Sequence, residues 1–340
     1  MTKNLEGKLQ DKKLRVLFLN DLGFQYGAGM AHLRQIQSFL LLGHEVRGIC
    51  WTDGIEGSIP FVPAAASGVW LGMCQLVEVH ASRGYTEEQI IQAILAEVKT
   101  NLPDVVIVGN LHASGWPLKL LPAIQALGVL VVAYMHDCHL ISGRCAYPGD
   151  CLLYKTGCDQ RCPTAHEYPA LSPAKIPAAW RLRRELFCGL HGIPLATNSQ
   201  WTLKMAQEAL PHLNHAEVVY LGLDTHLFKP IDRSLARQIL GLPQDQVIIL
   251  SGAVNVSDRR KGTHLFREVV KILHQEVEFL VFGAESLGMK KVQATGLLRD
   301  YRKMPLLYSA ADLFVNTALE EAFGFNFVRS CRLCLAYSEL

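Results

Sequence analysis

The residue pattern with the most specific chemistry lies near the carboxyl end of the chain. The apolar run 313–315 predicts a buried strand. The turn that follows it contains two carboxylates, an aromatic residue and a glycine: Glu320, Glu321, Phe323 and Gly324. A strand that leads through such a turn into a helix gathers backbone N–H donors, partial positive charge and a carboxylate at one point. These groups are suited to binding a phosphorylated sugar. Acidic residues that merely begin a surface helix would give the same pattern.

A second charged turn, residues 258–262, lies between the predicted strand 246–252 and the predicted helix 264–273. Arg260 and Lys261 stand in this turn, where cationic side chains would neutralise the charge that develops on a leaving diphosphate. A solvent-exposed run of charges is the simpler alternative. The position at a strand-to-helix turn favours the diphosphate clamp.

Two glycines near the amino end, Gly27 and Gly29, lie between the predicted strand 15–20 and the predicted helix 30–42. Glycine lets the backbone approach a phosphate closely, and a helix start supplies N–H donors, although an ordinary tight turn is the alternative. The full dinucleotide spacing is absent, and no acidic residue is suitably placed after the second predicted strand, residues 44–50. The pattern therefore argues against an NAD-dependent enzyme.

A histidine, His136, follows the predicted strand 129–134, and Asp137 stands beside it. In a parallel sheet the carboxyl ends of the strands face the ligand cleft, and an adjacent carboxylate can orient an imidazole. We expect His136 to position a substrate rather than to transfer a proton. A hydrogen-bonded structural histidine is the alternative.

Cysteines concentrate in one segment of the chain. Five of the ten fall between Cys138 and Cys162, and four of them are separated by five, six and three residues: Cys145, Cys151, Cys158 and Cys162. Four thiolates in so short a loop could close on a tetrahedral zinc ion and hold the loop in place. The spacing lacks the paired CxxC arrangement of strong zinc motifs, so plain reduced thiols remain the alternative. A disulfide framework is not expected without an export signal.

Short apolar runs alternate with amphipathic stretches from Leu14 onward. This alternation predicts an α/β protein whose parallel strands are covered by helices on both faces. The pattern restarts near residue 220, which predicts two Rossmann-like doubly wound units. The expected division is a polar tail (1–13), a first unit (14–220) that contains the cysteine-rich loop 138–166, and a second unit (221–340).

Composition bounds the class of protein and its partners. The chain has 340 residues, of which 50% are hydrophobic and 19% charged, with a formal net charge of +2. This is the composition of a globular protein, and it shows no basic stripe for nucleic acid. The first residues lack the apolar core of a signal peptide, and no apolar run approaches about 18 residues. We expect a cytoplasmic protein, and peripheral contact with the inner face of an anionic membrane stays open.

Together these residues resemble the signature of retaining glycosyltransferases with two Rossmann-like domains, the GT-B fold, in family 4. The segment Gly43–Val46 is similar to the opening region of that family. The stretch from Tyr134 through the cysteine loop to Pro169 resembles a subgroup that builds exopolysaccharide and lipopolysaccharide sugars, of the colanic-acid type. The resemblance covers about residues 15–324.

The resemblance implies transfer of a sugar from a nucleotide diphosphate sugar to a cell-surface glycan or lipid-linked acceptor. The anomeric configuration would be retained, and no metal cofactor would be required. Glu321 would lie near the reacting carbon of the donor sugar, and His136 near the donor sugar and the acceptor. Lys261 matches the Arg/Lys-Gly motif of the family, whose members bind the donor diphosphate with it.

Two positions depart from the family pattern. Val256 occupies the usual arginine position five residues before Lys261, so that Arg260 or Arg259 would substitute. The family also has a second glutamate, which holds the ribose of the nucleotide, eight residues after the first. In this chain that position is Arg329.

The tail, residues 329–340, does not resemble the family at all. One synonymous coding string for it gives the expected continuation when it is regrouped by one nucleotide. We therefore expect that a frameshift near residue 325 truncated the second unit, which the downstream nucleotide sequence would test. The alternative function is a catalytically inactive remnant of such an enzyme.

Overall fold

The computed structural model describes residues 12–339, except 24–25, 53–74, 83, 214, 254, 274, 284–285, 297, 299–300 and 334–335. The chain divides into two compact units, of which the first ends at Gly222 and the second begins at Leu223. Each unit contains one parallel sheet with helices packed on it. The predicted α/β class with two parallel-sheet units is confirmed. Residues 1–11 of the expected polar tail lie outside the described part of the chain.

A parallel sheet of seven described strands forms the centre of the first unit, in the order β3-β2-β1-β4-β5-β6-β7. The order reverses between β1 and β4. In open parallel sheets ligands bind at such a switch point, outside the carboxyl ends of the strands. The strands are β1 (Arg15–Leu19), β2 (Glu45–Cys50), β3 (Gln75–Glu78), β4 (Val105–Val108), β5 (Leu130–Met135), β6 (Leu195–Thr197) and β7 (Ala216–Val218).

Two helices of the first unit, α2 (Glu87–Asn101) and α6 (Gln200–Ala209), begin at side chains that cap them. The hydroxyl of Thr86 accepts the N–H of Gln89, and the side chain of Gln89 accepts the N–H of Thr86, so that a capping box starts α2. The described helices are α1 (Tyr26–Leu41), α2 (Glu87–Asn101), α3 (Leu120–Gln125), α4 (Leu153–Thr156), α5 (Ile176–Phe187) and α6 (Gln200–Ala209).

Strand β1 shows that both faces of this sheet are covered. Leu17 and Leu19 lie in the large core that includes residues of α2 and α3, whereas Val16 and Phe18 pack with Ile36 of α1. Successive side chains of a strand point to opposite faces, so a strand without polar residues is buried on both. This is why the apolar runs of the sequence predicted these strands correctly.

The second unit repeats the arrangement with five described strands, in the order β10-β9-β8-β11-β12. Its switch point lies between β8 and β11. The strands are β8 (Ile248–Gly252), β9 (Glu278–Phe282), β10 (Val292–Ala294), β11 (Leu313–Asn316) and β12 (Ala336–Glu339). The helices are α7 (Arg233–Leu240), α8 (Thr263–Leu273), α9 (Met304–Ala310) and α10 (Phe325–Arg332).

Three observed strands, β3, β7 and β12, were not predicted. The three residues of β7 pair with β6 at the edge of the sheet. None of the three is fully buried, so β7 lacks the apolar run that reveals a central strand. The tail, residues 329–339, contributes the end of α10 and the strand β12.

Among the residues that the structure describes, the helices lack the combination of length and apolar character that crossing a bilayer requires.

Candidate functional site

Two loops meet at the switch point of the second unit. The β8–α8 loop (253–262) and the β11–α10 turn (317–324) follow neighbouring parallel strands, so both start from the same edge of the sheet. The N–H of Leu319 donates to the carbonyl of Arg260 at 2.7 Å, and the hydroxyl of Thr317 donates to the carbonyl of Lys261 at 3.1 Å. These bonds join the two loops into one wall.

Gly262 makes this close approach possible. Its φ of +65° lies in the left-handed region, and a Cβ on it would stand 1.6 Å from the carbonyl oxygen of Thr317. A side chain at this position would therefore be excluded both by the backbone conformation and by the neighbouring loop. The glycine of the Lys-Gly pair is thus a structural requirement of the wall.

Lys261 and Glu321 form an ion pair on this wall, through Nζ and Oε1. Burial lowers the pKa of Lys261 below its usual value, and the carboxylate of Glu321 acts in the opposite direction. The nearby charge of Arg260 lowers it further. An anion entering this site would relieve the unfavourable environment of the ammonium group.

The site has the shape of a small cavity at the ends of β8 and β11. Its lining includes the backbone of Gly252 together with Ser251, Lys261, Thr263, Asn316, Glu321 and Asn326. Helix α8 begins at Thr263 beside the cavity, and α10 begins just after Gly324, whose φ is +74°. The first N–H groups of a helix lack partners within the helix and carry partial positive charge. The cavity can therefore attract a phosphate.

Arg260, which was predicted to help bind a diphosphate, also makes bonds within the wall. Its guanidinium donates to the carboxylate of Asp258 at 3.1 Å and to the carbonyl of Glu320 at 2.9 Å. The side chain thus holds the β11–α10 turn in place. Its charge still lies close enough to Lys261 to act on it.

Phe323 and Arg329 complete the wall. The rings of Phe323 and Phe325 pack edge to face at 5.0 Å. Arg329 donates to the side-chain oxygen of Asn326 at 2.7 Å, and the side-chain amide of Asn326 donates to the carbonyl of Gly252 at 3.2 Å. Where the resemblance would place a ribose-binding glutamate, the structure therefore has a cation.

His136 follows β5 in the first unit, as predicted. Its ring lies 4.9 Å from that of His32 and 4.8 Å from that of Tyr134, measured between centroids. Its Nε2 is buried and has no hydrogen-bond partner among the described residues. Burial holds the pKa of His136 well below its usual value, and the neighbouring histidines act in the same direction. The imidazole is therefore neutral and keeps one nitrogen for a ligand.

The prediction that Asp137 orients His136 is wrong. Asp137 instead binds Nε2 of His112 at 3.2 Å, and it accepts from the side-chain amide of Asn110 at 3.2 Å and the N–H of His139 at 2.8 Å. The loop after β4 brings His112 to the carboxylate, and the backbone directs the side chain of Asp137 away from its neighbour in sequence.

His112 is a residue that the sequence reasoning missed. Burial alone would lower its pKa, but the hydrogen bond and the charge of Asp137 raise it above the usual value. The only signal available in the sequence was its place just after the strand Val105–Val108. The charge of His112 also contributes to lowering the pKa of His136.

Asp21 was also missed, although it follows β1 at the switch point. Its carboxylate accepts the N–H groups of Leu22, Ala113 and Ser114 at 2.8, 2.6 and 3.3 Å. Burial raises the pKa of Asp21, and the charge of His112 opposes this effect. The carboxylate thus ties the loop after β4 to the end of β1.

Gly27 and Gly29 do not form a turn before the helix, because α1 already begins at Tyr26. Both glycines lie in its first turn, where Gly27 is exposed and a Cβ on it would meet nothing within 4 Å. One turn further along α1, His32 packs against the ring of His136. The helix therefore joins the glycines to the His136 region, although no close approach requires glycine at position 27.

The four cysteines of the predicted zinc site line one cavity in the first unit. As their side chains stand, the described residues contain no group of three or more His, Cys, Asp or Glu placed to hold a metal ion. Zinc binding therefore stays a prediction. Cys74 and Cys334 lie outside the described residues.

Solved structures with the same fold are glycosyltransferases and related sugar-transferring enzymes. Sucrose-phosphate synthase from Thermosynechococcus elongatus matches 96% of this chain over 81% of its own, with 15% identity and a TM-score of 0.66. HepE from Anabaena, solved with UDP and glucose, matches 96% of this chain over 80% of its own, with 17% identity and a TM-score of 0.66. WaaG, a glycosyltransferase of lipopolysaccharide biosynthesis, matches 95% of this chain over 80% of its own, with 18% identity and a TM-score of 0.63. The chain therefore has the GT-B fold, as expected.

Sequence comparison gives a shorter match. WcaC of Escherichia coli (strain K12), named as a glycosyl transferase of colanic acid biosynthesis, is 44% identical over 62 residues. The match covers 17% of this chain and only 14% of that relative. No family model matches the chain.

Proposed function

We propose that the chain transfers a sugar from a nucleotide diphosphate sugar to a cell-surface glycan or a lipid-linked acceptor, with retention of the anomeric configuration. The observation that carries this proposal is the Lys261–Glu321 pair on the wall formed by the β8–α8 loop and the β11–α10 turn. It places a partly desolvated cation and a carboxylate at the same cavity. The GT-B fold supports the proposal, as does HepE, which was solved with UDP-glucose.

The diphosphate of the donor binds at Lys261 and at the amino ends of α8 and α10. The charge of Arg260 and the backbone at Gly324 contribute to the same region. Stabilising the charge on the leaving diphosphate is the main catalytic task in such a transfer, and fixed cations and helix dipoles can perform it. The reaction as proposed therefore needs no divalent metal.

Glu321 lies against the donor sugar near its reacting carbon, and Lys261 holds the carboxylate in position. In the first unit, neutral His136 offers its unpaired Nε2 as a hydrogen-bonding group that positions a sugar hydroxyl. Its low pKa makes it a poor general acid near neutral pH. The first-turn amides of α1, at Gly27 and Gly29, are a further group of donors for the substrate.

The acceptor class rests on the resemblance and on the short match to WcaC. We propose that the chain meets such an acceptor at the inner face of the membrane, before the glycan reaches the cell surface. We therefore propose a cytoplasmic protein with peripheral membrane contact.

A binding and turnover experiment on the full chain tests the proposal. UDP- and GDP-sugars are titrated calorimetrically, and transfer is followed with a lipid-linked or oligosaccharide acceptor. Lys261→Met is expected to weaken donor binding about tenfold or more, because a charge-assisted contact is lost. Glu321→Gln is expected to keep binding and to lower turnover about 100-fold.

Lys290→Met, which removes an exposed lysine of the same unit, is the matched control and should change neither quantity. Retention is read from the anomeric coupling constant of the product by NMR. An inverted product would contradict the retaining mechanism.

A catalytically inactive remnant is the second candidate, and Arg329 favours it. This cation stands where the resemblance expects the carboxylate that binds ribose, and it is held by Asn326 and the ring of Phe325. If the chain binds a nucleotide sugar weakly and shows no transfer above that of Glu321→Gln, the remnant is the correct description. Tight binding with normal turnover would exclude it.

A further inference from the structure

Four thiols of the first unit surround one cavity in the loop between β5 and α5. Cys145 and Cys158 are buried, Cys151 and Cys162 are partly buried, and all four line the same space. Because they line one cavity, these four cysteines form a thiol cluster in the loop. We propose that this cluster binds one structural zinc ion through four thiolates.

A hydrogen bond from the backbone already favours the thiolate form of one ligand. The N–H of Gly143 donates to Sγ of Cys158 at 3.2 Å. A Cβ on Gly143 would lie 2.6 Å from Cβ of Cys158 and 2.7 Å from Cγ2 of Ile176, so only glycine lets the backbone come this close. Outer-shell hydrogen bonds of this kind orient and stabilise metal ligands.

Two buried arginines provide an electrostatic reason for a negatively charged metal–thiolate group in this loop. Arg144 and Arg183 have relative exposures of only 4% and 5%. Arg144 lines the thiol cavity, and its Nε is buried without a hydrogen-bond partner among the described residues. Arg183 donates to the carbonyls of His139 and Ala179 and contacts the ring of His139. These partners are all neutral.

The remaining bonds of Arg144 are also to neutral groups, the carbonyls of Glu167 and Pro169 and the hydroxyl of Thr164. Among the described ion pairs, neither arginine has a carboxylate partner. Buried charges are normally paired, because an unpaired charge in a low-dielectric interior is costly. Some other negative group should therefore balance these two cations.

Four thiolates around one Zn²⁺ carry a net charge of −2, which equals the charge of the two guanidinium groups in magnitude. A metal ion displaces the thiol protons and makes the ligands anionic.

The loop also needs a cross-link of this kind. Between Ser142 and Thr164 the only described helix is the single turn Leu153–Thr156. Cys158 and Tyr154 nevertheless belong to the core of the first unit. A zinc ion would hold a segment with little regular structure against that core, and the thiols would converge from their present rotamers to bind it.

Metal analysis of the full chain, purified under reducing conditions, tests the proposal. We expect about one zinc per chain, and X-ray absorption should show four sulfur ligands at about 2.3 Å. Cys158→Ser combined with Cys162→Ser should lower the zinc content at least about tenfold, as loss of two of four ligands requires. Cys188→Ser removes a partly buried thiol that lies outside the cluster, and it should leave the zinc content unchanged.

Two results would overturn the proposal. One is a zinc-free chain, after growth with added zinc, whose four thiols react with a thiol reagent in the native state. The other is disulfide bonds among the four cysteines in peptide maps of the native chain. If the double variant does not fold, the metal content and absorption spectrum of the wild-type chain decide the question without it.

Discussion

At the switch point of the second unit, the side chains of Lys261 and Glu321 are 21% and 27% exposed. Those of His112 and Asp137, which follow the neighbouring strands β4 and β5 of the first unit, are only 8% and 9% exposed. The first pair lines a cavity and is held by loops joined through their backbones. The second pair is enclosed by further hydrogen bonds from Asn110 and the backbone of His139.

This difference separates two uses of charge in the same kind of sheet. In the second unit the charged side chains of Lys261 and Glu321 remain partly exposed. A charged group of a ligand can therefore form ionic contacts with them. At the ends of β4 and β5 the charges of His112 and Asp137 satisfy one another, and Nε2 of the neutral His136 is buried without a hydrogen-bond partner among the described residues. We therefore expect ionic ligand groups to bind in the second unit and neutral hydroxyl groups in the first.

The largest expected effect comes from preventing the close contact between the two loops of the second unit. Gly262→Ala should lower the free energy of unfolding by about 4 kcal/mol and abolish nucleotide binding, because its Cβ would collide with the carbonyl of Thr317. Gly288→Ala is the matched control, since Gly288 has φ of +67° but open space around it. In urea denaturation, Gly288→Ala should lower the free energy of unfolding by only about 1 kcal/mol. An equal loss in both variants would contradict the close approach of the two loops.

Breaking the enclosed pair of the first unit should have the next largest effect. Asp137→Asn leaves the buried His112 without its counter-ion and should cost about 3 kcal/mol in the free energy of unfolding at pH 6. The raised pKa of His112 stabilises the fold at low pH, and this contribution is lost as the pH rises through the folded pKa. The cost of Asp137→Asn should therefore shrink towards pH 9.

Glu78→Gln is the control for that comparison. The Glu78–His80 pair has the same separation of 3.2 Å, but the histidine side chain is 71% exposed. Its loss should cost about 0.5 kcal/mol. A cost for Asp137→Asn that is as small, or that does not change with pH, would show that enclosure of the first pair has no energetic importance.

A smaller effect should appear in the pH dependence of stability of the first unit. Burial lowers the pKa of His32 to about 3, so the folded chain keeps this ring neutral while the unfolded chain protonates it below its usual value of 6.5. Stability is therefore lost as the pH falls, by about 2 kcal/mol between pH 7 and pH 5. His32→Leu should remove this loss in denaturation curves.

His191→Leu, which replaces an exposed histidine of the same unit, should leave the pH dependence unchanged. An unaltered slope in His32→Leu would mean that this ring takes up a proton in the folded state. The neutral state inferred for the neighbouring His136 would then lose its support.

The smallest expected effect concerns one link of the second-unit wall. Thr317→Val removes the hydroxyl bond to the carbonyl of Lys261, and we expect a loss of about 1 kcal/mol, or about fivefold in nucleotide affinity. In Thr295→Val, the lost bond reaches only the carbonyl of the adjacent Gly296. The nucleotide affinity measured by calorimetry should fall in Thr317→Val alone. A similar fall in both variants would show that the bond between the two loops does not support nucleotide binding.

The sequence predicted those parts of the fold and site that depend on local patterns. Runs of Val, Ile and Leu located the central strands, and the ends of these strands located His136, Lys261 and Glu321. The partner of Asp137 could not be predicted, because His112 lies 25 residues earlier and reaches it only through the order of the strands. The start of α1 at Tyr26 was missed because two glycines in a first helical turn resemble a loop.

The central claim is that the second-unit switch point binds the diphosphate of a nucleotide through Lys261. The most direct measurement compares the affinities of UDP and UMP, or of GDP and GMP, for the wild-type chain and for Lys261→Met. We predict that removal of the outer phosphate weakens binding to the wild-type chain about tenfold and binding to Lys261→Met only slightly. An equal loss in both proteins would contradict the assignment of Lys261 to the diphosphate.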